Sequence, residues 1–177
     1  ECGVGIKQNS KGNREVWIGG KLHISAVDGD IPVTAFYSGA NIHDSSIALP
    51  LIQETSKRVN YLYDLQDAGY DADIIREFSN KLGHRPIIDT NPKNSKELKA
   101  KIELIEHENK TFKYLNWHLN CDEQHYKQRS MVERVNKYLK DDFGCDKIYY
   151  QGATKVASVL AFGILSICIH KSLQLVT

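Results

Sequence analysis

Apolar and polar positions change period several times along the chain, and each change predicts an element. Lys21 to Val27 and Ile31 to Ser38 are rich in Ile, Val, Phe and Tyr and flank Asp28-Gly29-Asp30. Asp-Gly supplies the positive φ of a tight hairpin, so the two runs predict an antiparallel pair. Asp44-Ser45 offers N-cap oxygens for a helix through about Arg58, with Ile47, Leu51 and Thr55 on its inner side and Pro50 in its first turns. Tyr61 to Leu65 predicts a short strand ending at Gln66-Asp67. Asp71 is placed to cap a helix from Ala72 to Leu82 that Gly83 closes. Arg85 to Asp89 predicts another strand, and Asn91-Pro92 breaks the chain after it. Lys and Glu at helical spacing around Leu98, Ile102 and Ile105 predict a solvated helix over Lys96 to Lys110. Two further helices are predicted over about Tyr126 to Leu139 and Ala153 to Leu173. The first twenty residues, with five glycines among polar positions, show no period of 2 or 3.6 and predict a connecting loop, residues 1–20. The order hairpin, helix, strand, helix, strand, helix, helix, helix predicts a mixed sheet with helical layers.

Composition narrows the function classes. A length of 177 residues with 41% apolar content suits one globular domain over residues 1–177, and the chain has neither a block of like charge nor a Pro/Gly/Ser-rich tract. The balance of 23 bases against 22 acids gives a net charge of +1, so any attraction to nucleic acid has to come from local clustering. The longest apolar run, Val156 to Ile169, has 14 residues and falls short of the roughly 20 that cross a bilayer. It predicts a buried helix and no membrane partner. The start of the chain carries no signal-peptide pattern, so a cytoplasmic location is expected. Cys2, Cys121, Cys145 and Cys168 are scattered, which favours reduced thiols. His118, Cys121 and His125 have a zinc-like spacing, but a structural site wants a fourth ligand, and loop residues flanking a strand are the simpler account.

The densest chemistry lies near the predicted helix after Tyr126. At about 100° per residue, Tyr126, Arg129, Glu133 and Lys140 fall within about 60° of one another around an ideal helix. Met131, Val132, Val135, Tyr138 and Leu139 form the apolar side of the same wheel. Between Lys127 and Lys140 the bases Lys127, Arg129, Arg134, Lys137 and Lys140 surround the single acid Glu133. Bases keep a neighbouring carboxylate ionised and can hold phosphates. A solvated face with an Arg129/Glu133 pair worth a few tenths of a kcal/mol would account for the charges equally well.

Spacing favours the functional account. Tyr126-x2-Arg129-x3-Glu133-x6-Lys140 resembles the Y-R-E-K signature around the catalytic glutamate of bacterial insertion-sequence transposases of the DDE class, and composition alone gives about 0.002 such matches per chain. Asp67-Ala68-Gly69-Tyr70-Asp71 resembles the D-x-G-Y-D element bearing that family's second catalytic aspartate. Asn41-Ile42-His43-Asp44 and Gly20-Lys21-Leu22-His23 resemble its N-x-H-D and G-x-K-x-H elements, which read here as architectural. The resemblance spans about Gly19 to Leu175. It implies an α/β, ribonuclease-H-like mixed sheet flanked by helices, whose first core strand and first triad aspartate lie upstream of this chain. It also implies an N-terminally truncated fragment of a longer transposase.

In that family two aspartates and a glutamate hold two divalent ions, normally Mg²⁺ with Mn²⁺ as a substitute. Ions about 4 Å apart activate an attacking oxygen and stabilise the leaving one. Carried over by position, Asp67 and Glu133 are the catalytic, metal-holding carboxylates. Tyr126, Arg129, Lys137 and Lys140 are the DNA-binding residues, the tyrosine as a stacking platform for a strand end. The implied partners are transposon ends and target DNA, with a homodimer for the full-length protein. Asp28 and Asp30 are assigned to the tip of the hairpin. Asp64 and Asp89 are the other acids on or after strands, and Asp67 is preferred to both because it carries the motif. A metal-dependent nuclease of the same fold, or a catalytically dead DNA-binding remnant, are the alternatives.

Overall fold

The structure is a computed structural model that describes residues 2–8, 11–89, 100, 103–104 and 125–176. The chain divides into two compact units, Glu1–Tyr61 with Ser130–Thr177, and Leu62–Arg129.

In the first unit, β2 (Arg14–Val27) is shared between two partners. Its first half pairs antiparallel with β1 (Gly3–Gln8) and its second half with β3 (Ile31–Gly39). The expected loop over residues 1–20 is therefore mostly a strand ribbon. Its register places Val4 opposite Ile18 and Ile6 opposite Val16, so the β-branched residues form cross-strand pairs on one face. On the other face Gly5 lies under Trp17, where a Cβ would run into the indole. The β2–β3 hairpin forms where Asp-Gly predicted it. Gly29 and Asp30 both have positive φ, 84° and 60°.

Helix α1 (Asp44–Ser56) follows β3. Its N-cap is His43 rather than Asp44, with His43 Nδ1 accepting from the Ser45 amide at 3.3 Å. Its buried residues are Ala48, Ile52 and Thr55; of the expected Ile47, Leu51 and Thr55 the last is buried and the first two are half-buried. Helix α3 (Ser130–Asp141) and helix α4 (Ala153–Val176) pack on the sheet. Ile24 of β2, Val135 and Leu139 of α3 and Ile167 of α4 make the buried cluster. Each such side chain contributes about 1.5–3 kcal/mol on burial. Gly163 lets α4 approach α3 closely, since a Cβ there would sit 2.7 Å from Cys145 Sγ and 3.0 Å from Leu139 Cδ2.

The expectation of a buried final helix is corrected. α4 has 24 residues and, by length and composition alone, is long and apolar enough to cross a membrane, but only Leu160, Gly163 and Ile167 are buried. Phe162, Leu165, Ile169 and Leu173 are 53–70% exposed.

In the second unit, β4 (Tyr63–Gln66) and β5 (Arg85–Ile88) pair in parallel around α2 (Asp73–Lys81), with Gln66 opposite Ile88. Ile75 of α2 and Ile88 are buried beneath. Asp71 does not cap α2: the N-cap is Ala72 with no side-chain bond, and Asp71 instead accepts from Arg76 Nη2 at 2.9 Å. Of the helix expected over Lys96 to Lys110, Ala100, Glu103 and Leu104 are described and helical; the rest lies outside the described residues, as do His118 and Cys121.

Candidate functional site

In a parallel pair both strands end at the same edge, which is where such sheets place ligands. Asp67 immediately follows β4 and Asp89 immediately follows β5, and the Asp89 amide donates to the Gln66 carbonyl at 3.3 Å. Asp67 is the N-cap of a 3₁₀ turn over Ala68–Tyr70, its Oδ1 accepting from the Gly69 amide at 2.9 Å. A Cβ on residue 69 would stand 3.0 Å from that oxygen, which gives the motif glycine a physical reason. One carboxylate oxygen thus fixes the turn while the other remains as a hard donor suited to Mg²⁺. Asp64, the other acid of this strand, is 6% exposed, and its Oδ2 lies 3.1 Å from His84 Nδ1.

Tyr126 and Arg129 belong to this unit, on a short helical turn, and not to α3. The Gln128 and Arg129 amides bond back three residues, to the carbonyls of His125 and Tyr126, and α3 starts only at Ser130. The single continuous helix expected from Tyr126 is therefore interrupted, and the ideal wheel does not relate Tyr126 and Arg129 to Glu133. They are held locally instead. His125 stacks on Tyr63 of β4 with ring centroids 4.1 Å apart, and the Arg129 guanidinium lies 5.6 Å from the Tyr126 ring centre. The Tyr126 hydroxyl donates to Asp89 Oδ2 over 3.4 Å. Burial first, then the charge of Asp89, holds its phenol above the ordinary value of 10.0, with Asp67 adding a smaller push in the same direction. Asp89, set aside in the sequence for want of a motif, thus joins Asp67, Tyr126 and Arg129. Its only sequence signal was its position as a strand-end acid.

In the first unit α3 carries Glu133, Lys137 and Lys140 exposed, while Val135 and Leu139 are buried, as the amphipathic pattern required. Arg134 departs from the expected row of phosphate-holding bases. Its Nη2 lies 2.7 Å from Asp30 Oδ1 and its Nε donates to both Asp30 oxygens, at 2.9 and 3.0 Å. Lys171 of α4 adds a contact at 3.7 Å to Asp30 and lies 4.5 Å from the Tyr138 ring centre. Asp30 is at the hairpin turn as expected, but it is buried and anchors both helices to that turn.

The two remaining motifs meet each other in this unit. Lys21 Nζ donates to the Ile42 carbonyl and to Asp44 Oδ1, both at 3.1 Å. His23, buried, lies 3.9 Å from the same Asp44 oxygen and 2.9 Å from Ser38 Oγ. Together these bonds fasten the start of α1 to β2, an architectural role.

Residues 3–169 match the family model described as Transposase DDE domain. The chain belongs to that transposase family. The match crosses both units, and the mixed α/β architecture of antiparallel and parallel strands flanked by helices is consistent with a ribonuclease-H-like DDE domain. Comparison with curated proteins and with solved structures gave no match. Members of the transposase family are phosphoryl-transfer enzymes that process DNA in transposition and typically use a divalent metal. Among the described residues no three His, Cys, Asp or Glu side chains are grouped to hold a metal.

Proposed function

We propose that this chain provides the DNA strand-cleavage and strand-transfer chemistry of a bacterial insertion-sequence transposase. Asp67 and Glu133 are the residues that hold its divalent ions, Mg²⁺ by preference. Those ions, when bound, supply an activated oxygen nucleophile and a stabilised leaving oxygen at phosphorus. Arg129, Lys137 and Lys140 hold phosphates of the transposon end. Tyr126 offers its ring to an unpaired base, a use for which an aromatic face beside basic groups is suited.

The observation that carries this reading is the gathering of Asp67, Asp89, Tyr126 and Arg129 at the C-terminal edge of β4 and β5. Two motifs far apart in sequence, D-x-G-Y-D and the first half of Y-R-E-K, supply three of those four residues. A packing motif would have no reason to bring a strand-end carboxylate and a cation-bearing aromatic to one edge.

The test supplies pre-cut transposon ends and target DNA to the protein with Mg²⁺. Joined products that disappear with Asp67→Asn and with Glu133→Gln are expected. Cleavage without joining points to a nuclease on the same fold. DNA binding that is indifferent to Mg²⁺ and to both substitutions points to a binding remnant.

A further inference from the structure

We propose that Asp89 is a positioning residue that orients Tyr126 beside Asp67. This rests on the reading of Tyr126 as the platform for a DNA strand end. The segment from His125 to Arg129 is fastened at two points, His125 on Tyr63 and the Tyr126 hydroxyl on Asp89, and within it the Arg129 guanidinium lies over the Tyr126 ring. A tyrosine ring turns about two side-chain torsions, and a hydroxyl bond at its far end together with a cation over one face restricts both.

The backbone makes Asp89 a rigid anchor for this purpose. Its amide extends the parallel ladder by one bond to Gln66, so Asp89 is tied to the strand that leads directly into Asp67. Displacement of Asp89 would carry Tyr126 away from Asp67, whereas loss of its acceptor oxygen would free the ring to turn. At 3.4 Å the contact is longer than the usual O–H···O range. A metal-ligand role is the competing account of a second carboxylate beside Asp67, and the experiment separates the two.

The protein is labelled with ¹³C at the tyrosine ring carbon bearing the hydroxyl, and the Tyr126 signal is assigned by Tyr126→Phe. Asp89→Asn keeps an acceptor but removes the charge, so the Tyr126 phenol should titrate at lower pH than in the parent protein. A DNA end carrying 2-aminopurine at its terminal base should be quenched by the parent and by Asp89→Asn. Asp89→Ala and Tyr126→Phe should each reduce the quenching, and the double variant should be no worse than either. Mn²⁺ affinity should change less than about twofold in Asp89→Asn and fall by at least about tenfold in Asp67→Asn, since loss of even a partner of a metal ligand costs about 10–100-fold.

An unmoved phenol titration overturns the contact itself and needs no DNA to read. A moved titration with quenching unaffected by Asp89→Ala overturns the positioning role. Loss of Mn²⁺ in Asp89→Asn equal to that in Asp67→Asn makes Asp89 a ligand instead. If the titration moves and Asp89→Ala lowers quenching while Glu133→Gln leaves strand chemistry intact, the positioning role stands and the wider functional reading fails.

Discussion

Arg134 stands beside Glu133 in a row of bases, yet its guanidinium lies against Asp30, a hundred residues away in sequence. On the transposase reading the neighbouring bases therefore do different work, and salt dependence reads the difference. Replacing Arg129 or Lys140 by Ala should flatten the slope of log binding constant against log salt by about one each. Arg134→Ala should leave that slope unchanged and lower stability instead. Asp30 itself invites a cleaner test, because its φ of 60° is tolerated by Asn, so Asp30→Asn removes charge without adding backbone strain. The Arg134 bond holds the Asp30 carboxyl below its ordinary 3.8. A depressed folded value means that the contribution is complete above about pH 4 to 5 and is lost as pH falls through the folded value. Asp30→Asn should therefore cost about 1–3 kcal/mol at pH 7, toward the lower end since Arg134 is half exposed, in urea unfolding. Parent and variant should converge once the pH has fallen below the folded value. His23 works in the opposite range. Burial pushes its imidazole below 6.5, so the unfolded chain takes up the proton first and stability declines as pH drops below 6.5. His23→Gln should lose that decline, although its buried site makes it less stable at pH 8; stability curves between pH 5 and 8 check both.

At the scale of elements, legibility followed how cleanly each period stood out. α3 was readable because Val135 and Leu139 recur four apart against exposed Glu133, Lys137 and Lys140. The β1–β2 ribbon was not, because Gly3, Gly5 and Gly19 interrupt an alternation that only the cross-strand register of Val4, Ile6, Val16 and Ile18 completes. α4 misled in another way. Its apolar residues run round the whole helix, a pattern that normally marks burial, yet one stripe of Leu160, Gly163 and Ile167 is packed and the opposite one is not. The site was half legible: Asp67, Tyr126 and Arg129 came from motifs, whereas the Asp89 contact to Tyr126 depends on a segment 37 residues further along the chain folding back to the end of β5, which no local pattern reveals. The α3–α4 approach gives a direct test of the packed stripe. Gly163→Leu must displace Cys145 and Leu139 and should cost about 1–3 kcal/mol or more. Ala161→Leu, at an exposed position of the same helix, should stay within about 0.5 kcal/mol. Equal effects of the two in urea unfolding would remove the close approach as the reason for the glycine.

At the scale of the molecule, a net charge of +1 leaves no general attraction to DNA, so specificity of action has to reside in a few placed groups. The transposase reading assigns the reaction to Asp67 and Glu133 acting on the same ions. Groups that act as one device lose their effect together: once either is gone, removing the other has little left to take away. Asp67→Asn and Glu133→Gln should each lower strand cleavage by at least about 10³, equivalent to roughly 4 kcal/mol in barrier. The double variant should be no slower than the worse single one. DNA binding should persist in all three, since Arg129, Lys137 and Lys140 are untouched. Chelation by EDTA should reduce the parent to the level of the variants and leave the variants where they are. Multiplying losses in the double variant would mean that the two carboxylates serve separate steps, and a shared metal would then have to be given up even with the family assignment intact.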